Sequence, residues 1–460
     1  MNIAEVMRNF VEPGSVAIVG ATRKSGDFSM NILEHILSYG YTGKLYPINP
    51  NAGEILGVKA YADISGIADP IDLALIVTAR DVVPVVLRSC ADKGIKSAII
   101  VAQGFSDAMD EEGHELSRQL TEIVRTTGIR VLGPNTFGTA NAFINFSTSF
   151  ARIKLDKNPV GIVCQSGLFF HGLPEFRLTG KCIDLGNACD IGFTEALEYF
   201  ENDPQVKVIG LHIEGVNNPQ VLLKTMERVT AKKPVIVLKT GRSEQAARAM
   251  QSHTGSLAGS SLLWDSALKS VGAIRVNDLE EFFDTIRMFS MAPLMKNNKI
   301  AVATFSGAAG ILVMDAMRDT ALEIGNLSKD TTAKLVKLAP AWLKVGNPVD
   351  YWPIMMGYPD QGRAMSDVME ILLSDDEIGG VIFTQVAFSQ KFDQMMAMFL
   401  NYLAEKHPHR PFMSAISGTY NGDFINGLQQ DGKHLAFHTP ERAARAFSHL
   451  WQYSRLSRGL

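Results

Sequence analysis

Short, nearly unbroken apolar runs alternate with amphipathic stretches along the first third of the chain. Val16-Ala17-Ile18-Val19 stops at Gly20-Ala21-Thr22. Asn31 to Ser38 then carries Ile32, Leu33, Ile36 and Leu37 at helical spacing. Further strands are predicted at Lys44 to Pro50, Asp72 to Val77, Ser97 to Val101 and Arg130 to Gly133. Helices are predicted over Val82 to Lys93 and Glu112 to Thr126. Continuous apolar strands alternating with helices predict a parallel sheet covered on both faces. A first strand that runs into a glycine turn and a helix opens a Rossmann-type fold.

The alternation continues beyond a turn-rich segment, Asn135 to Asn158. Val160 to Cys164 reads as a strand, followed by Gln165-Ser166-Gly167 and the helix start Leu168-Phe169-Phe170. Val206 to Ile213 is a strand ending at Glu214-Gly215, and Leu222 to Val229 is a helix. Pro234 to Lys239 is the next strand. After Met291-Ala292-Pro293, Ile300 to Phe305 runs into Ser306-Gly307-Ala308-Ala309-Gly310 and an apolar helix. That repeats strand, Ser-Gly and helix as at 160–172. The last helix spans Pro440 to Leu456, with proline in its first turn. The expected architecture is α/β. A Rossmann-type domain (1–140) precedes two flavodoxin-like, doubly wound parallel-sheet domains (155–292 and 297–460).

Bulk properties narrow the function. At 460 residues the chain exceeds one hydrophobic core. Its formal net charge of −4 gives no basic face for nucleic acid or an anionic membrane. Cys90, Cys164, Cys182 and Cys189 lack C-x-x-C spacing, so neither zinc nor a disulfide framework is expected, and a reducing cytoplasm fits. Met1 to Pro13 lacks an apolar signal core, and no run is long enough to cross a bilayer.

The chemistry gathers at strand ends. G-x-G-x-x-G would need glycine where Thr22 stands, and the second strand ends in Asn49-Pro50-Asn51 rather than an acidic residue. A nicotinamide dinucleotide is therefore not expected. Ser252-His253-Thr254-Gly255-Ser256-Leu257-Ala258-Gly259 surrounds one imidazole with small residues. Alone, such a histidine is an ordinary loop residue. However, carboxyl ends of parallel strands are where ligands bind, and Ser166-Gly167, Glu214 and His253 all follow such ends. A strand, a Ser-Gly turn and a helix start offer free N–H groups to an anion. This set suits phosphoryl relay, with His253 attacking phosphorus and Glu214 accepting the other ring N–H. Ser166, Gly167, Thr254 and Gly255 would hold phosphate oxygens. The competing role, His253 as base for a Ser166 nucleophile, lacks the Gly-x-Ser-x-Gly context.

The ordered series IVGAT, YPINP, DLALIV, GIRVLGPN, IVCQSG, HIEGV, KPVIVLKTGRS, SHTGSLAG, NPVD and PERAARA resembles the NDP-forming (ADP-forming) acyl-CoA synthetases. It is similar to their α subunit, related to the α subunit of succinyl-CoA synthetase. The resemblance implies a ligase interconverting acyl-CoA, ADP and phosphate with carboxylic acid, CoA and ATP. The phosphoryl group would pass through an acyl phosphate and a phosphohistidine at His253, with Glu214 as its partner and Gln165-Ser166-Gly167 beginning the helix that faces and binds the phosphate. CoA would meet Gly20, Ala21, Thr22, Lys24, Asn49, Pro50, Val77, Pro134 and Asn135. ADP or ATP with Mg²⁺ would sit on an ATP-grasp β subunit, a separate chain in an α2β2 assembly, because the three α/β units fill this one. The alternative is a catalytically silent CoA-binding regulatory subunit on the same fold. The chain departs from the family at Phe28-Ser29-Met30, at Thr136 and at Phe169-Phe170-His171. Phe169, Phe170 and Trp352 are therefore expected either to shape an acyl pocket or to pack the core.

Overall fold

The computed structural model describes residues 3–26, 29–173, 179–243, 245–246, 261–419 and 421–459. The chain forms two compact units, Met1–Asn277 and Asp278–Leu460.

The first unit contains two large sheets. One is built from β1 (Ser15–Val19), β2 (Lys44–Ile48), β5 (Leu73–Ile76), β6 (Ser97–Ile100) and β7 (Arg130–Leu132). A two-stranded antiparallel hairpin, β3 (Glu54–Ile55) and β4 (Val58–Lys59), forms its own small sheet against β2. The order of the five-stranded sheet is β2-β1-β5-β6-β7, with every pairing parallel. β1, β5 and β6 are buried along their whole length, as unbroken apolar runs require.

The other sheet contains β8 (Thr139–Asn141), β9 (Phe146–Ser147), β10 (Val160–Cys164), β11 (Lys181–Asp184), β12 (Val208–Ile213), β13 (Val235–Lys239) and β14 (Ile274–Val276). Its order is β14-β13-β12-β10-β11-β8-β9. The segment expected to be turn-rich, 135–158, therefore holds two short strands. β8 joins this sheet antiparallel to β11, and β9 pairs antiparallel with β8. They carry three and two residues, too few for a periodic signal.

Helix α1 (Ile3–Val11) buries Val6, Met7, Phe10 and Val11. Its end is fastened to β8, where Thr139 Oγ1 donates to Phe10 O at 2.7 Å and Asn141 Nδ2 to Val11 O at 3.1 Å. Beneath it, the fully buried Lys181 Nζ lies 2.7 Å from both Glu12 Oε1 and Asp203 Oδ2, and 3.0 Å from Tyr199 Oη. This ionic knot ties α1 to β11 and to α2 (Phe193–Asn202), whose C-terminal cap is Asp203.

The second unit carries one sheet of β15 (Lys299–Thr304), β16 (Glu323–Ile324), β17 (Val349–Asp350), β18 (Gly380–Val386), β19 (Phe412–Ser417) and β20 (Leu435–Phe437). Its order is β16-β15-β18-β19-β20, with β17 beside β15. The C-terminal helix, Pro440–Ser457, packs on the helix Leu279–Met291. Arg442 Nε lies 2.7 Å from Asp284 Oδ2, and His449 Nε2 lies 2.8 Å from Glu281 Oε1. The helix Gly307–Met317 follows β15 directly, as the repeated strand, Ser-Gly and helix pattern predicts.

Candidate active site

β10 and β12 are parallel neighbours, and β13 lies next to β12. Their carboxyl ends thus release Gln165-Ser166-Gly167, Glu214-Gly215 and Thr240-Gly241 at one edge. Gln165 does more there than face solvent. Its Oε1 accepts the backbone N–H of Glu214 at 2.8 Å and of Gly215 at 3.0 Å, joining two of the three strand ends. From the other side, Lys239 Nζ donates to Glu214 O at 2.8 Å and to Thr240 O at 2.6 Å. The peptide groups flanking the Glu214 Cα are therefore held by one side chain from β10 and one from β13. Gln165, expected from sequence to contact phosphate, makes these two positioning bonds through Oε1.

His253, Thr254 and Gly255 lie outside the described residues. Ser166 Oγ accepts the Leu168 N–H at 3.3 Å. The expected helix start after Gly167 is a single π-helical turn, Leu168–Gly172. A Cβ on Gly167 would overlap the Phe137 ring, so only glycine fits there. A cleft of about 270 Å³ opens beside the Gln165 junction, lined in part by Asn187, Asp190, Glu195, Gly215 and Asn218.

Phe169 and Phe170 are 2% and 0% exposed. Phe169 stacks on His212 with centroids 4.4 Å apart, and Phe170 lies 5.9 Å from Phe137. Of the two expectations for them, core packing is the one their surroundings match. Trp352 belongs to the second unit, where its ring meets Phe305 at 4.6 Å. Thr136, which departs from the family pattern, is buried. Its hydroxyl donates to Asp184 O and accepts the Gly138 N–H.

The electrostatics follow burial. Lys239 is 4% exposed, and burial, reinforced by the Arg275 cation, pulls its ammonium down to about 8. Burial, then Lys239, lowers His212 to about 4, so this imidazole is neutral at pH 7. Its Nε2 lies 3.4 Å from Thr240 Oγ1. Asp184, at the end of β11, is raised to about 6 by burial against the lowering N–H groups of Phe137 and Gly186. Lys239, Lys181 and Asp184 were not singled out by the sequence. A lysine closing an apolar strand, as in Val-Ile-Val-Leu-Lys, was the available signal for Lys239.

The first sheet brings its expected residues to one edge. Gly20-Ala21-Thr22 follows β1, Asn49-Pro50 follows β2, Val77 follows β5 and Pro134-Asn135 follows β7. Gly20 sits at φ +90, with Val77 O 3.2 Å from where a Cβ would be. Asn49 Nδ2 donates to Ala21 O at 2.8 Å, and the Val77 N–H to Val19 O at 3.0 Å. Asn31 caps its helix and holds the loop through bonds to Thr22 O and Lys24 O. Lys24 itself is exposed. At the far end, Gly133-Pro134 is cis, Asn135 has φ 59, and Asn187 donates to both Pro134 O and Asp107 Oδ1. This edge offers open backbone beside small side chains, a cradle that suits an extended phosphorylated ligand.

A Rossmann-type sheet and a flavodoxin-like sheet share one unit, and Gln165, Glu214 and Lys239 are knitted at the strand ends of the second. Residues 14–142 match the model of a CoA binding domain, and residues 157–289 that of a succinyl-CoA ligase like flavodoxin domain. Over 458 residues the chain is 32% identical to subunit alpha of acetate–CoA ligase [ADP-forming] I from Pyrococcus furiosus, covering 96% of each chain. It is 36% identical over 384 residues to acetate–CoA ligase [ADP-forming] II from Archaeoglobus fulgidus, covering 82% of this chain and 56% of that protein. It spans 48% of a second such ligase, from Methanocaldococcus jannaschii, and so about half the length of these two relatives. Its fold matches acetyl-coenzyme A synthetase 1 of Ca. Korarchaeum cryptofilum, solved with phosphate and ADP. The TM-score is 0.90 at 28% identity, over 99% of this chain and 98% of that one. The chain belongs to the ADP-forming acyl-CoA ligase family. No described helix is long and apolar enough to cross a membrane.

Proposed function

We propose that this chain is the α subunit of an ADP-forming acyl-CoA ligase and carries its phosphohistidine at His253. The supporting observation is the fixed Glu214, clamped by Gln165 and Lys239 beside the strand that leads into SHTGSLAG. A phosphate oxygen attacks the thioester carbonyl, the C–S bond breaks, and CoA leaves as the thiol. The His253 imidazole then attacks phosphorus of the acyl phosphate and releases the carboxylate. The phosphoryl group finally passes to ADP, giving ATP and free imidazole. Glu214 accepts the second ring N–H of His253 and steadies the positive charge. Gln165 sets Glu214, while Ser166, Gly167, Thr254 and Gly255 surround the phosphate. CoA lies along Gly20-Ala21-Thr22, Lys24, Asn49-Pro50, Val77 and Pro134-Asn135. The nucleotide, with Mg²⁺, binds an ATP-grasp β subunit in an α2β2 assembly in the cytoplasm. The domains run 1–140, 155–292 and 297–460.

Incubation with a matched β subunit and γ-labelled ATP tests the relay. Acid-labile, base-stable label should appear on this chain and vanish in His253→Asn. A β subunit that is demonstrably competent but leaves the chain unlabelled would refute the reading.

A further inference from the structure

Resting on the phosphohistidine reading above, we infer that Lys239 is a positioning residue of the phosphoryl relay. By bonding Glu214 O and Thr240 O together, it fixes Glu214 relative to the segment that departs toward His253. β12 and β13 pair in register up to Ile213 and Lys239, so Lys239 is the last paired residue of β13. Its side chain reaches forward past that rung and closes the gap between the two strand ends, at 2.8 and 2.6 Å.

The ammonium has an unusual setting. Among the described residues, its hydrogen-bond partners are these two carbonyls, and the Trp264 ring lies 5.9 Å from Nζ. The charged and titratable groups facing it come from each neighbouring element. His212 and Glu214 come from β12 and its end, and Arg275 from β14. Arg275 pairs with Asp265 of the helix Ser261–Ser270 and faces Arg242, which is bonded to Asn277. Glu214 is the carboxylate whose charge favours the ammonium. Burying a cation on carbonyls is costly, and methionine of similar volume would fill the space but leave Glu214 O and Thr240 O without this donor. A purely structural role therefore predicts that methionine lowers stability while turnover per folded molecule is unchanged. A positioning role predicts that Glu214 drifts and phosphoryl transfer slows, while CoA, held at the other sheet, binds as before.

The test uses wild type, K239M and K239R, each assembled with the β subunit. Label transfer from γ-labelled ATP, kcat and the KM for CoA and for acid are read together. K239M is expected to slow labelling at least ten-fold with both KM values within two-fold of wild type. K239R should recover part of the rate. In wild type, kcat should fall as pH rises through about 8, where the ammonium loses its proton. In K239R that limb should move to higher pH, because guanidinium stays charged. Labelling of K239M at the wild-type rate overturns the inference, as does a KM for CoA that rises as much as kcat falls. If K239M does not fold, an alkaline limb unmoved in K239R overturns it instead. Wild type that takes no label sinks the relay itself, a result distinct from a labelled wild type matched by K239M.

Discussion

The Oε1 of Gln165 stands 2.8 Å from the backbone nitrogen of Glu214, so a residue ending one strand aims the residue ending the next. Gly215 N, at 3.0 Å, shares the same oxygen. Gln165→Leu removes the acceptor and leaves two part-buried N–H groups unpaired. A loss of about 1–3 kcal/mol in unfolding free energy is expected. The effect on turnover should be larger than on binding, with kcat down roughly 10–100-fold and the KM for CoA little changed. Gln165→Glu keeps an acceptor in place and should recover much of the stability, though its charge faces the phosphate and turnover should stay low. Urea melts and steady-state kinetics on the αβ complex separate the two effects. A rise in KM for CoA without loss of kcat would contradict them.

Gly186 has φ +53, and a Cβ there would run into the carbonyl oxygens of Pro134 and Asn135. Gly186→Ala therefore adds about 1–2 kcal/mol of left-handed backbone cost and pushes the Gly133-Pro134-Asn135 turn outward. If that turn contacts CoA, the KM for CoA should rise several-fold while acid-dependent constants hold. Calorimetric titration with CoA provides the check, and unaltered affinity in a folded variant would remove the turn from the site.

Asp184 supplies a pH signature. Its carboxylate accepts Phe137 N at 2.8 Å and Gly186 N at 3.3 Å, yet burial raises it to about 6. Between an unfolded value near 3.9 and 6, the native chain binds a proton that the unfolded chain does not. Stability from this group is thus full below about pH 4 and is lost as pH rises toward 6. The span is worth about 3 kcal/mol. Asp184→Asn cannot titrate. Its unfolding free energy relative to wild type should therefore climb between pH 4 and 6 and stay level above. A difference independent of pH would show that Asp184 ionises normally.

Much of this was readable from pattern. Apolar runs such as Val16 to Val19 and Val235 to Leu238 announced parallel strands because both faces of a parallel sheet are covered. Strand ends then located Gln165, Glu214 and the edge at Gly20, Asn49 and Pro134. What escaped was of two kinds. β8 and β9 are too short to show alternation, and their pairing with β11 is decided by tertiary contact. Side-chain bonds between distant positions leave no local trace of the partner. The bonds of Lys239 to Glu214 O and of Lys181 to Glu12 depend on the folded sheet for their meaning. Phe169 and Phe170 show the converse. Large aromatics beside a candidate site invite a pocket role, but their neighbours are His212 and Phe137 inside the core.

Lys181 makes the strongest stability prediction. It is fully buried with the carboxylates of Asp203 and Glu12, and Tyr199 also bonds Glu12. Burial pushes the Glu12 carboxyl up, but the bonds from Lys181 and Tyr199 outweigh it and hold Glu12 below the ordinary glutamate range. Lys181→Met strands Asp203, itself buried, without its cation. Removing one partner of such a pair costs about 3–5 kcal/mol. The knot is built from α1, α2 and β11 and contributes no residue to the strand ends at Gln165 and Glu214. Turnover per folded molecule at low temperature should therefore remain near wild type, even as the urea midpoint drops. Asp203→Leu added to Lys181→Met removes the stranded charge and should restore part of the loss, giving a favourable coupling in the double-mutant cycle. Additive losses in that cycle would mean that Lys181 and Asp203 are solvated independently, and the ionic knot would then not be what fastens α1 to the second sheet.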